Sequence, residues 1–152
     1  MSTEATWKGG LRPRLGMTPG DIRDVLIIER ASFGDDAWSE KDFRWALNQR
    51  SIRSAVMLDK SSVIVGFVLW GEMDIGGVEV MNIAVAPVFR RIGVGTELLA
   101  VVSVNSVTPI RTRVLEDDLE AQLFLRSCGY VCVKIKDFED VTWYHFEYEE
   151  MV

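Results

Sequence analysis

Apolar positions along the chain fall into two textures. Ile22, Val25, Leu26 and Phe33 recur at helical spacing and predict an amphipathic helix over residues 19 to 32, while Phe43, Ala46 and Leu47 mark a second. Thr18-Pro19 supplies a cap and a proline at the first helical position, Gly34-Asp35-Asp36 breaks the first helix, and Ser39 with Asp42 makes a capping box for the next. From Ser51 the texture becomes β. Residues 51 to 58 alternate loosely, residues 62 to 70 are β-branched and aromatic, and Asp59-Lys60-Ser61 is the turn between them. Gly76-Gly77 precedes a third apolar run, residues 78 to 86, which Pro87 stops. Three antiparallel strands are expected here.

Beyond two further glycines, Val94, Leu98, Val101 and Val102 repeat helically until Pro109 prevents continuation. Ile110 to Leu115 reads as a strand. Asp117 with Glu120 opens a fourth helix whose expected inner face carries Leu119, Leu123 and Phe124, with Gly129 as its stop. Residues 130 to 135 and 141 to 148 are the last strands, joined by a charged turn over residues 136 to 140. A short strand around Leu11 to Met17 fits only a sheet edge, because it contains Pro13. The order is β-α-α-β-β-β-α-β-α-β-β, an α/β layered fold with a mixed, mostly antiparallel sheet of about seven strands and four helices. Residues 1 to 10 read as a flexible N-terminal tail and residues 11 to 152 as one domain.

Composition narrows the function classes. At 152 residues, 48% hydrophobic and 26% charged, the chain is sized and balanced like one globular domain. No apolar run is long enough to cross a bilayer, and the polar N-terminus lacks a signal-peptide core, so the expected location is the cytoplasm with no membrane partner. A net charge of −6 argues against nucleic acid as a partner. Cys128 and Cys132 are too few for a disulfide framework or a closed zinc site, and no metal is expected.

The most informative stretch runs from Glu79 to Ala100. An apolar strand leads through a short loop and Gly93 and Gly95 into a helix, an arrangement that turns unpaired amides toward an outside anion. A Rossmann fingerprint is disfavoured, because Leu98 takes the place of its third glycine and Gly93 lies seven positions after Ala86. A Walker A loop is disfavoured as well, because Thr96-Glu97 follows Gly95 where that loop has Lys-Ser/Thr. What remains is Arg90-Arg91-Ile92-Gly93-Val94-Gly95, of the form R/Q-x-x-G-x-G/A.

With Asn82-Ile83-Ala84-Val85-Ala86-Pro87 before it and Trp38-Ser39-Glu40-Lys41-Asp42-Phe43 upstream, this loop resembles the GNAT superfamily of acetyltransferases, and within it the ribosomal-protein alanine N-acetyltransferase branch. The resemblance covers residues 11 to 148 and implies the GNAT fold with acetyl-CoA as cosubstrate. It implies that the backbone of Ile83, Ala84 and Val85 pairs with the pantetheine arm, and that amides from Arg91 through Ile92, Gly93, Val94 and Gly95 to Thr96 hold the pyrophosphate. Arg90 and Arg91 add charge, although solvated arginines beside a loop are the plainer reading. The sheet is expected to splay after its fourth strand, a feature that residue pattern does not encode.

The implied chemistry is attack of a primary amine, on a protein N-terminus or a small molecule, on the thioester. It needs a base for the ammonium proton and a way for the thiolate to leave. Glu79 is the candidate base. It lies eleven residues before Arg90, the offset of the catalytic glutamate in histone-acetyltransferase-like members, and no other charge falls between Asp74 and Arg90. Tyr144 is the candidate acid, with Tyr130 as an alternative; His145 is expected to point the opposite way from Tyr144 and to be structural. The alanine acetyltransferase branch instead resembles a scheme with a glutamate and a tyrosine, and here Arg113 and Leu125 occupy those positions. Its cofactor-contacting asparagine becomes Asp118. Trp45 and Trp70 are expected in the core, and Trp38 near the acceptor. The rival expectation is therefore a weak or inactive GNAT-like domain that binds acetyl-CoA as a sensor or interaction module. Monomer and homodimer both remain open, the apolar final strand being the candidate dimer surface.

Overall fold

The computed structural model describes residues 10 to 149. The expected tail therefore lies outside the described residues except for Gly10. Seven strands form one sheet in the order β1-β2-β3-β4-β5-β7-β6. They are β1 (Arg12–Leu15), β2 (Ile52–Leu58), β3 (Ile64–Glu72), β4 (Val78–Val85), β5 (Ile110–Leu115), β6 (Val131–Phe138) and β7 (Val141–Tyr148). The helices are α1 (Ile22–Phe33), α2 (Glu40–Leu47), α3 (Val94–Val104) and α4 (Leu119–Ser127). Element order and the mixed α/β class agree with the sequence reading, and β1 is indeed an edge.

Apolar side chains fill both faces of the sheet. Ile22, Val25 and Leu26 of α1 and Phe43 and Ala46 of α2 bury against Val56, Phe67 and Leu69. Val94, Leu98 and Val102 of α3 bury on the opposite face against Val68, Trp70, Val80 and Ile110. Gly66 permits this second layer, since a Cβ there would stand 3.2 Å from both Val94 and Leu98. Strand β3, covered on both faces, is buried at eight consecutive positions.

Two irregularities shape the middle of the sheet. Between β3 and β4 the register passes from Leu69↔Asn82 to Trp70↔Val80, leaving Met81 as an extra residue in a β-bulge. Strand β4 then pairs with β5 in parallel at just two positions, Val78↔Ile110 and Glu79↔Arg111. Past Glu79 the two strands separate. The sheet is thus split along its length, with β1–β4 on one side and the β5-β7-β6 ribbon on the other.

Several local expectations fail for identifiable reasons. Leu119 and Leu123 are exposed, because Gln122 turns inward and donates from Nε2 to the carbonyls of Leu115 at 3.0 Å and Glu116 at 2.8 Å. Leu125, on the same side of the helix, is the buried residue of α4. Trp45 is also exposed, since Phe43 and Ala46 set the inner face of α2 and position 45 lies about 200° around from Phe43. Helix α3 ends at Val104, where the Asn105 side chain caps the Val101 carbonyl at 2.8 Å before Pro109 is reached. The last hairpin turns on two residues, Glu139 and Asp140, both with positive φ, so β6 extends to Phe138. Finally, the apolar last strand β7 is an interior strand. The edge at this end of the sheet is β6, and every β6 residue is exposed.

Candidate active site

The split between β4 and β5 opens into a cleft of about 540 Å³ bounded by the end of β4, the loop before α3, and α4. Ile83, Ala84, Val85, Arg90, Arg91, Gly93, Val94, Gly95, Thr96 and Asp118 line it together. Ile92, the remaining predicted cofactor residue, is exposed beside the loop and does not line the cleft. Ser32, Phe89, Glu120, Ala121, Phe124 and Ser127 also line it, and the sequence reading missed them in that role. Phe124, past the middle of α4, carried a signal, because it is an aromatic residue on the inner face expected of that helix.

The loop geometry follows from its residues. Arg91 and Gly93 have positive φ, 64° and 93°, which turns the chain sharply into α3. The first bond from α3 back to the loop runs from Glu97 N–H to the Gly93 carbonyl at 3.0 Å. The amides of Val94, Gly95 and Thr96 precede it and have no partner within the helix. Gly95 is also needed for packing, since a Cβ there would sit 2.9 Å from the Phe124 ring. Arg90 folds back over the end of β4, donating from Nε to the Val85 carbonyl and from a terminal nitrogen to Ser32 Oγ, both at 3.0 Å. Asp118 caps α4 by accepting from Ala121 N–H at 3.1 Å. The positive helix end and two arginines thus face Asp118 and Glu120 across the cleft.

Glu79 stands at the apex of the split, as the last β4 residue paired to β5. Its cross-strand neighbour Arg111 lies 3.7 Å from Glu147, which takes that guanidinium as its ion-pair partner. Ile83, the first cleft-lining residue of β4, is four positions along the strand, or about 13 Å. Glu79 is partly exposed and does not itself line the cleft.

Tyr144 is placed differently. It pairs with Val114 and Ile135 and packs against the core on the α3 side of the sheet. Glu79, which alternates with the core residues Val78 and Val80, points to the other face. The two proposed catalytic side chains are therefore not brought together, because strand alternation separates them. Tyr130 is 2% exposed, its ring 5.4 Å from that of Tyr148, and burial raises its pKa far above the usual phenol value. It is a core residue. His145 does point opposite Tyr144; burial first, then Lys134, Lys136 and Arg113, hold its pKa below the ordinary imidazole value, while Glu79 acts in the other direction.

One buried polar tie went unread. Glu29 of α1 is 1% exposed and accepts hydrogen bonds from Asn82 Nδ2 on β4 at 2.7 Å and from the Trp38 backbone N–H at 2.8 Å. Burial raises its pKa, and the two hydrogen bonds offset part of that rise. A glutamate at helical spacing from Val25 and Leu26, on the apolar stripe itself, was the available signal. The bridge ties the α1–α2 connection to the bulged strand, where Trp38 packs on Phe43 with ring centroids 5.1 Å apart. Arg113 extends over the Trp143 ring at 4.9 Å, while Leu125 is buried in the core.

Comparison with known proteins bears on the family and the fold. The sequence model of the Acetyltransferase (GNAT) family matches residues 21–130. No curated protein sequence matches. Among solved structures, Arabidopsis thaliana NAA60 in complex with acetyl-CoA superposes with a TM-score of 0.77 at 17% identity, covering 92% of this chain and 99% of that one. The ribosomal-protein-S18-alanine N-acetyltransferase from Escherichia coli gives 0.74 at 18% identity, covering 90% and 92%. A spermidine N-acetyltransferase SpeG mutant from Vibrio cholerae gives 0.73 at 17% identity, covering 91% and 92%.

Proposed function

The chain belongs to the Acetyltransferase (GNAT) family, and we propose that it is an acetyl-CoA-dependent N-acetyltransferase acting on a primary amine, either a protein N-terminus or a small amine. The observation that carries this reading is the cleft itself, in which the β4 backbone, the glycine turn and the open end of α3 converge. The free amides of Val94, Gly95 and Thr96, with Arg90 and Arg91, hold the pyrophosphate. The backbone of Ile83, Ala84 and Val85, left without a β5 partner where the strands part, receives the pantetheine arm as a missing strand would, the arm taking over the Val85 carbonyl from Arg90 Nε.

The acetyl thioester then reaches the apex near Glu79. Glu79 accepts the ammonium proton, directly or through one water, and the freed amine attacks the thioester carbonyl carbon. A C–N bond forms, the C–S bond breaks, and the thiolate leaves carrying the electron pair of that bond. Thiolates with a pKa of about 8.5 leave without a strong acid, so no role falls to Tyr144. Acetyl-CoA should stabilise the protein in a thermal-shift panel, whereas ATP and NAD should not. Absence of stabilisation by any CoA ester sinks the proposal.

A second reading is favoured by Arg113 and Leu125, which stand where the branch that the sequence resembles has its glutamate and tyrosine. A domain that binds acetyl-CoA without transferring it would be stabilised equally well but release no CoA with any amine. Measuring CoA release against amine and peptide panels separates the two readings.

A further inference from the structure

The face of the β5-β7-β6 ribbon that carries Glu79 and Arg111 has an uneven charge pattern. Its residues run in cross-strand rows. The first row is Arg111, Glu147 and Val131, the second is Arg113, His145 and Lys134, and the third is Leu115, Trp143 and Lys136. Glu79 extends the first row through its pairing with Arg111. Carboxylates thus sit in the first row alone, where Glu147 pairs with Arg111 and Glu79 is its cross-strand neighbour.

The next two rows gather cations without counterions. Among the described residues no carboxylate lies within 4 Å of Arg113, Lys134 or Lys136. Lys134 and Lys136 instead stand two positions apart on the same face of β6, and the neighbouring Lys136 ammonium lowers the pKa of Lys134. Like charges in contact cost free energy unless an anion joins them. All three side chains are exposed, and the principal contacts of α1 and α2 with the sheet fall on β2, β3 and β4 rather than on this ribbon. Such a cluster contrasts with a chain whose net charge is −6.

We propose that this face is the acceptor subsite for a carboxylate, and that the preferred acceptor is a peptide whose acidic side chains follow its N-terminal amine closely. The assignment rests on the proposed transfer to a primary amine and names the substrate class of that same site. Consecutive rows on one face are about 7 Å apart along a strand, so an amine beside Glu79 leaves its next two or three extended residues over Arg113, Lys134 and Lys136. Trp143, stacked under Arg113, gives the peptide an apolar surface between these charges. The same cations repel polyamines.

The test is a calorimetric titration, with CoA present, of two ten-residue peptides with free amino termini that differ only in Asp or Lys at positions 2 and 3. The acidic peptide is expected to bind about tenfold more tightly, with the advantage shrinking in about 0.5 M salt. Lys134→Glu/Lys136→Glu should abolish or invert the preference, and Lys134→Gln/Lys136→Gln should weaken it. A third arm, 6-aminohexanoate, reports whether a small carboxylate-bearing amine suffices: binding as tight as the acidic peptide keeps the carboxylate subsite and overturns the peptide assignment. Equal binding of the two peptides, no binding of either, or a preference that survives charge reversal overturns the subsite. Acidic preference in a protein that fails to bind acetyl-CoA would overturn the transfer reading and leave the anion subsite standing.

Discussion

Asn82 on β4 donates a 2.7 Å hydrogen bond to the buried carboxylate of Glu29 on α1. The bond joins the helix layer to the strand just past the bulge at Met81, where the sheet begins to split. Removing the acceptor with Glu29→Ala leaves two donors, Asn82 Nδ2 and Trp38 N–H, facing an apolar layer. A loss of about 3 kcal/mol is expected from denaturant unfolding. A loss below about 1 kcal/mol would show that the bridge is not structural.

The same carboxylate has a pH signature. Its folded pKa is raised, so the folded protein binds the proton more tightly than the unfolded chain. The stability it contributes is full below the unfolded value of about 4.3 and is lost as pH rises through the folded value. Wild type should therefore lose stability relative to Glu29→Gln as pH increases across that window. Parallel pH profiles for the two proteins would contradict this.

Gly95 sets how closely α4 covers the glycine loop. Gly95→Ala places a Cβ 2.9 Å from the Phe124 ring, which must then swing within the cleft. Acetyl-CoA affinity should fall about tenfold, at a folding cost of about 1 kcal/mol. Unchanged affinity by calorimetry would remove α4 from the cofactor site.

Asp118 combines a cap and a charge. Asp118→Asn keeps the hydrogen bond from Ala121 N–H and removes a negative charge from the cleft, so acetyl-CoA should bind several-fold more tightly, by about 1 kcal/mol or less. Asp118→Ala also loses the cap, at about 1 kcal/mol of stability. Weaker binding by the asparagine variant would mean that the carboxylate contacts the cofactor favourably.

These sites were not equally legible in the sequence. The helices and the strand order along the chain followed from periodicity, which is local, and the glycine loop together with the family resemblance singled out ten residues that line one cleft. The bulge at Met81 and the two-residue pairing of β4 with β5 were not legible, since both depend on register between strands far apart in sequence. Tyr144 was misplaced for a related reason. Alternation along β7 was correct, but which face meets Glu79 depends on how β5 pairs with β4. Glu29 and the basic face were missed because their partners are non-local, whereas Leu119 and Leu123 misled because a helix can turn a glutamine inward when carbonyls await it.

Tyr144→Phe should leave turnover within about twofold of wild type, because the hydroxyl is on the core side and does not line the cleft. A tenfold fall would restore it as an acid.

The most direct measurement is CoA release by wild type and Glu79→Gln at saturating acetyl-CoA, across a pH series, with an acidic peptide acceptor. Wild type should turn over, and the variant should lose about tenfold or more in kcat while binding acetyl-CoA with unchanged affinity. Equal turnover by the two proteins, or no release by wild type with any amine, would contradict Glu79 as the base of an N-acetyltransferase.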